Sequence, residues 1–197
     1  MKKRIEISVC IAFVLTVFIS MTGFAGTCDD LKRDVFRLHI LANSDSREDQ
    51  ELKLKVRDRL LGENIFTQSK NKEEAMQNTK ENIENLTEIA KEEIIKNGYD
   101  YDVTVQIVNM YFTTREYESF TLPAGNYDAL RVLIGKAEGK NWWCVMFPPL
   151  CLPAASDKSK MDDVFTDNEV KIITQKPKYK IKFKTVEIFE EFKNWFS

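Results

Sequence analysis

The sequence predicts an α+β fold with a mainly antiparallel sheet, two helices after the first strand, and a C-terminal helix packed on the sheet. Three observations predict it. Residues 35–42 (VFRLHILA) alternate apolar and polar side chains; residues 46–96 carry apolar positions at helical spacing; and from residue 101 onward the period drops to two. With 197 residues, 43% of them hydrophobic, the chain has apolar mass for one core, so residues 26–197 are expected to form a single domain.

Ahead of that domain, Lys2, Lys3 and Arg4 precede an uncharged run over residues 7–21, followed by the small residues Gly23, Ala25 and Gly26. Residues 1–25 therefore read as a signal peptide, or as an N-terminal membrane anchor if they are not removed. Contact with a membrane is expected through this segment alone, and export across the membrane follows from either reading.

In 35–42, Phe36, Leu38, Ile40 and Ala42 share one face, and Arg37 and His39 share the other, less apolar one. Asn43, Ser44, Asp45 and Ser46 break the strand and offer helix caps, with Asp49 as a capping-box-like acid. Leu52, Val56, Leu60, Leu61 and Ile65 then follow helical spacing to about residue 66. A second helix fits 72–96, its stripe formed by Met76, Ile83, Leu86, Ala90 and Ile94, and Asn97-Gly98 stops it.

Val103, Val105 and Ile107 alternate with polar residues, and the parity changes at Val108. A strand over 115–122 and a turn at 123–126 follow. Residues 129–135 and 141–147 are apolar on both parities and read as central strands joined in a hairpin by KAEGK; Pro148-Pro149 ends the second. Residues 154–176 read as polar and irregular, 179–183 as a last strand, and Thr185 as the cap of a terminal helix with Ile188, Phe189, Phe192, Trp195 and Phe196 on a broad apolar face.

The charge balance is 29 basic against 31 acidic residues, which leaves no polybasic footprint for nucleic acid. One histidine and four cysteines without a C-x-x-C or H-x-x-H element supply no zinc site, and no cofactor or metal is expected. Cys144 and Cys151 lie seven residues apart across Pro-Pro in an exported chain. A disulfide is expected there, with two buried thiols as the alternative if the Cα atoms stand too far apart. A thiol-dependent hydrolase would need Cys144 or Cys151 as nucleophile and His39 as base. A wall-binding module would stack Trp143 or Tyr117 on sugars. The 43–46 turn reads as helix capping, as a recognition loop, or as a carboxylate turn for a metal with Asp49. Trp142 and Trp143 point to opposite sheet faces, so at most one is an exposed anchor.

At RLHILANSDSREDQELKLKVRD (37–58), LPAGNYDALRV (122–132) and IGKAEGKNWWCVMFPPLC (134–151) the sequence resembles the stage II sporulation protein R family of endospore-forming Firmicutes. It departs from the family pattern at Arg47, usually proline, and at Ala137, usually glycine. The resemblance implies a secreted signalling protein and not an enzyme. It would be made in the forespore, exported into the intermembrane space, and act on a membrane-embedded aspartic protease that matures pro-sigma-E in the mother cell. The expected partner-binding residues are Arg37, His39, Asn43, Ser44, Asp45 and Trp143.

Overall fold

The computed structural model describes residues 2–63, 65, 69–117, 119–151, 161–174 and 176–195. In chain order the elements are α1 (Lys2–Asp34), β1 (Phe36–Leu41), α2 (Arg47–Leu61), α3 (Lys72–Glu81), α4 (Ile83–Lys96), β2 (Val103–Phe112), β3 (Arg115–Glu116), β4 (Thr121–Leu122), β5 (Gly125–Ile134), β6 (Asn141–Phe147), α5 (Asp167–Thr174) and α6 (Lys176–Trp195). The fold is α+β, and the chain divides into two compact units.

The sheet unit comprises Asp34–Tyr111 and Asn126–Phe165. Its four strands run in the order β2-β5-β1-β6, with β1 parallel to β5 and antiparallel to β6, so the sheet is mixed. The expected β5–β6 hairpin does not form, because β1 stands between these two strands. Residues 135–140 are too few for a crossover helix and instead pass over the end of β1. Gly139 N–H donates to Ala42 O at 3.0 Å and Glu138 N–H to Asn43 O at 3.2 Å. Phe36, Leu38 and Ile40 of β1 meet Leu130, Val132 and Ile134 of β5, Cys144 and Met146 of β6, and the apolar faces of α2 to α4 in one core. This is the core that the helical spacing of Leu52, Val56, Leu60, Leu86, Ala90 and Ile94 requires.

Ser46 caps α2, its Oγ accepting from Asp49 N–H at 3.1 Å. The helix expected over 72–96 is two helices. Asn82 sits at φ −109°, its amide donates to Asn78 O at 2.8 Å, and its N–H turns back to Thr79 O at 3.2 Å, closing α3 before α4 starts. Gly98, at φ +86°, follows the end of α4 in the left-handed conformation that favours glycine.

The second unit comprises Met1–Arg33, Phe112–Gly125 and Thr166–Ser197. The strand expected over 115–122 is a two-stranded ribbon, with Arg115 opposite Leu122 and Glu116 opposite Thr121. The segment expected to be irregular contains α5, opened by a capping box. Glu169 Oε2 accepts from Thr166 N–H at 2.7 Å, and Glu169 N–H donates to Thr166 Oγ1 at 3.4 Å. Residues 152–160 lie outside the described residues.

The strand expected at 179–183 is instead part of α6. YKIKFK alternates in sequence, but Tyr179, Phe183 and Val186 at helical spacing share one face. Phe183 and Val186 are buried with Phe24, Cys28 and Ile172, and Tyr179 packs against that cluster. Phe24 stacks on Tyr179 at 5.7 Å and meets Phe183 edge-on at 5.2 Å. Lys32 bridges Asp29 at 2.7 Å and Glu190 at 2.8 Å. The expectation that the bulky residues after Ile188 pack into a core is not met. Ile188, Phe189, Phe192 and Trp195 are 57–77% exposed, because the buried face of α6 is the one carrying Tyr179, Phe183 and Val186; Phe196 lies outside the described residues. α1 is long and apolar enough to cross a membrane, with Ile5, Val9 and Phe13 exposed; a signal sequence has the same character.

Candidate functional site

Most of the residues singled out in the sequence lie along β1 and in the turn after it, in two arrangements on the sheet unit. The first is a clasp between the 43–46 turn and the 135–140 loop. Its hub is Asp49, buried in the first turn of α2. Its Oδ2 accepts from Ser44 Oγ at 2.6 Å and from Asn43 Nδ2 at 2.8 Å, and the Tyr101 hydroxyl adds a further hydrogen bond. Burial pushes the Asp49 carboxyl up, but these donors outweigh it and hold its pKa below the ordinary aspartate value. Asn43 Oδ1 accepts from Lys136 N–H at 3.0 Å, and Asp45 Oδ1 from Lys140 N–H at 2.7 Å.

Lys53, buried in α2, donates to Lys140 O at 2.8 Å and to Gln50 Oε1 at 2.6 Å. Burial lowers its pKa, against the pull of Asp45. Gly135, at φ +58°, lies against Asn43 so closely that a Cβ would collide with its carboxamide. Ala137 adopts φ +54°, a conformation that costs a residue with a Cβ and suits glycine. Arg47 is the first residue of α2, where the missing N–H of a proline would cost nothing.

The second arrangement is a row across three strands on the sheet face opposite the helices. Register aligns Arg131 of β5, His39 of β1 and Trp143 of β6. The His39 and Trp143 rings stack at 3.9 Å with 6° between planes, and His39 Nε2 lies 2.6 Å from Asn141 Oδ1. Trp143 and Arg131 are half-buried, and Asn141 is exposed. On the other face Trp142 packs toward the core, with the Arg57 guanidinium 4.2 Å from its ring centre.

Alternation places Arg37 and His39 on the less apolar face, as candidates for partner contact, but both are buried, Arg37 completely and His39 to 2% exposure. Both faces of β1 are covered, so alternation there separates two buried environments and not core from solvent. Arg37 lies 4.9 Å from the Tyr127 ring centre. Asn43, Ser44 and Asp45 act within the clasp, Asn43 and Ser44 half-buried and Asp45 exposed. Of the expected binding residues, Asp45 is exposed, Trp143, Asn43 and Ser44 are half-buried, and Arg37 and His39 are buried. Sequence reasoning missed Tyr101, Lys53, Arg131 and Asn141. Only Asn141 carried a signal, as the polar residue opening an apolar strand.

Cys144 and Cys151 form a disulfide with Cα atoms 5.2 Å apart. Cys144 lies opposite Leu38 on the core side of the sheet, while His39 faces the other side, so the structure does not bring a thiol and the imidazole together. Tyr117 stacks on Phe120 at 4.5 Å. Among the described residues no group of three His, Cys, Asp or Glu side chains could hold a metal ion. The Asp49 carboxylate is engaged by the turn it caps.

The family model for stage II sporulation protein R matches residues 32–157, a stretch that takes in the clasp, the cross-strand row and the disulfide. The protein described as stage II sporulation protein R from Bacillus subtilis (strain 168) is 41% identical over 118 residues, covering 58% of this chain and 52% of the relative. The chain thus spans about half the length of the curated relative it matches. No solved structure matches it. With more than half of its residues inside the family model, the chain belongs to the stage II sporulation protein R family.

Proposed function

We propose that this protein is an exported, non-catalytic signal of spore formation. In this reading it leaves the forespore, reaches the intermembrane space, and activates a membrane-embedded aspartic protease that matures pro-sigma-E in the mother cell. The observation that carries the reading is the family match over residues 32–157. The apolar α1 supports export, as a signal peptide or as a retained anchor over residues 7–25. The bond between Cys144 and Cys151, and the placement of Cys144 and His39 on opposite sheet faces, support the non-catalytic reading over a thiol enzyme.

A ligand shifts a receptor only by binding the active state more tightly than the inactive one. Moving a mostly inactive protease to a mostly active one takes roughly 3–5 kcal/mol of differential binding, within reach of one aromatic anchor and a few hydrogen bonds. Trp143, stacked on His39 in the row that continues to Arg131 and with Asn141 two residues before it on β6, is the proposed anchor. The proposed contact surface extends to Asp45 in the exposed turn. Asn43 and Ser44 tie the turn to the 135–140 loop and to Asp49, and Arg37 is buried beside Tyr127.

The test is complementation in sporulating cells that lack the native protein, read as conversion of pro-sigma-E to its mature form, with export of each variant measured alongside. Trp143→Ala is expected to be exported and to lose most of the conversion. Normal conversion in cells without the protein would sink the signalling reading. Full activity of an exported Trp143→Ala together with Asp45→Ala would sink the choice of surface alone.

A further inference from the structure

β2 ends the sheet order, and among the described residues no strand pairs with its outer side. Its ten residues, VTVQIVNMYF, contain no charge, no proline and no glycine. Edge strands are ordinarily protected by lysine, proline, a covering element or short length, and β2 shows none of the first two and not the last. Against it lies a groove of about 660 Å³, lined on the strand by Val105, Gln106 and Ile107 and on the helices by Met76, Ile83 and the charged pair Glu73 and Lys80. Val105 is buried, and Met76, Ile83 and Ile107 are half-buried. Glu73, Gln77 and Lys80 are exposed.

We infer that β2 is the dimerisation edge of this protein, and that its occupant is β2 of a second copy, added antiparallel about a two-fold axis through Gln106. Two features of the groove select a second copy. In an antiparallel register centred on Gln106, Val105 of one copy stands opposite Ile107 of the other. The apolar groove residues thereby meet each other, and the uncharged strand supplies its own complement. Along α3, Glu73 and Lys80 carry opposite charges about 10 Å apart, at 1.5 Å of rise per residue, on either side of Gln77. A two-fold axis reverses the partner helix and sets Glu73 of each copy toward Lys80 of the other, so the edge is self-complementary in charge as well as in shape. An unrelated extended peptide would have to bring matching charges of its own.

The test uses the full chain in detergent. Sedimentation gives the dimer dissociation constant, and a photo-reactive p-benzoyl-phenylalanine in place of the exposed Thr104 identifies the neighbouring strand by mass spectrometry. A dimer is expected whose cross-link joins β2 to β2. Glu73→Lys alone and Lys80→Glu alone each set like charges across both symmetric contacts and should weaken the dimer by about tenfold. The double variant restores opposite charges and should return the affinity to that of the starting protein. That rescue belongs to a symmetric contact alone, because a different partner would lose both charges it recognised. A chain that stays monomeric at roughly 100 µM overturns the inference. So does a dimer that ignores both single swaps, or one whose cross-links fall on α1 or on another protein.

Discussion

The sheet unit and the helical unit use their apolar residues in opposite ways. In the sheet unit, residues from β1, β5, β6 and three helices converge on one core in which Leu38, Ile40, Leu86, Ile94 and Leu130 are at most 1% exposed. In the helical unit a small cluster around Phe24, Cys28 and Phe183 is buried, while Ile181, Ile188, Phe192 and Trp195 of α6 stay exposed along the opposite face. α1 before residue 32, with α5 and α6, also lies outside the segment the family model matches, whereas almost all of the sheet unit lies inside it. Stability and family identity are thus concentrated in the same part of the chain. The other part keeps an apolar surface that its own packing does not consume.

The largest effect that could break this contrast is a core truncation. Leu38→Ala removes a side chain buried among β5, β6 and the helices and is expected to cost about 2–5 kcal/mol in urea unfolding, whereas Ile188→Ala on the exposed stripe should change stability by less than about 0.5 kcal/mol. Equal losses at the two sites would erase the distinction between the units. Next comes the disulfide. Replacing Cys144 and Cys151 together by alanine reopens a short loop and should lower stability by about 2–3 kcal/mol in the chain-entropy description. Unchanged stability of that double variant under oxidising conditions would show the bond to be incidental to the sheet unit.

The clasp supplies a smaller effect with a pH signature. Asp49→Ala leaves Asn43 and Ser44 without their acceptor and should cost about 1–3 kcal/mol. Asp128 behaves similarly: burial pushes it up, but hydrogen bonds from Asn109 at 2.9 Å and Lys72, with the Lys72 charge at 2.6 Å, hold its pKa below the ordinary range. Carboxylates depressed in the folded state contribute stability that is complete above their unfolded pKa of about 4 and is lost as pH falls through the folded values. The sheet unit should therefore weaken below about pH 4, and Asp49→Ala should flatten that slope. A slope identical in the variant would remove Asp49 from the account. The smallest effect is a gain: Ala137→Gly relieves a left-handed residue and should stabilise by about 0.5–1 kcal/mol, measured as a rise in the urea midpoint.

Much of the local chemistry was legible in the sequence. Ser46 caps α2 and Asn97-Gly98 stops α4 because caps depend on a few adjacent residues. The Thr166 to Glu169 box was equally local and was passed over amid polar residues. The misreadings came where distant parts decide. Residues 129–135 and 141–147 look like a hairpin because they are close in sequence, and only the strand from residues 36–41 shows why they are not neighbours. Tyr179 to Phe183 satisfies both a period of two and a helical stripe, and Phe24 of α1 decides between them. At the candidate site, Trp143 and the 43–46 turn could be found from sequence. The burial of Arg37 and His39 could not, because alternation reports that two faces differ, not that one of them is wet. Asp49 is legible as a capping acid, whereas its role as the hub of a loop-to-turn clasp depends on Asn43 and Asp45 meeting Lys136 and Lys140, 93 and 95 positions further along the chain.

The overpass of residues 135–140 also orders events in time. β1 is central to the sheet, yet it is complete more than eighty residues before either strand that flanks it has been made. A chain threaded from its N-terminus must hold FRLHIL unpaired until residues 125–147 follow, and the sheet then closes through its longest-range contacts. During that interval α2 to α4, which pack against β1 in the finished core, are already present to shelter it, so these three helices serve as an early cover for the strand as well as the wall of the finished core.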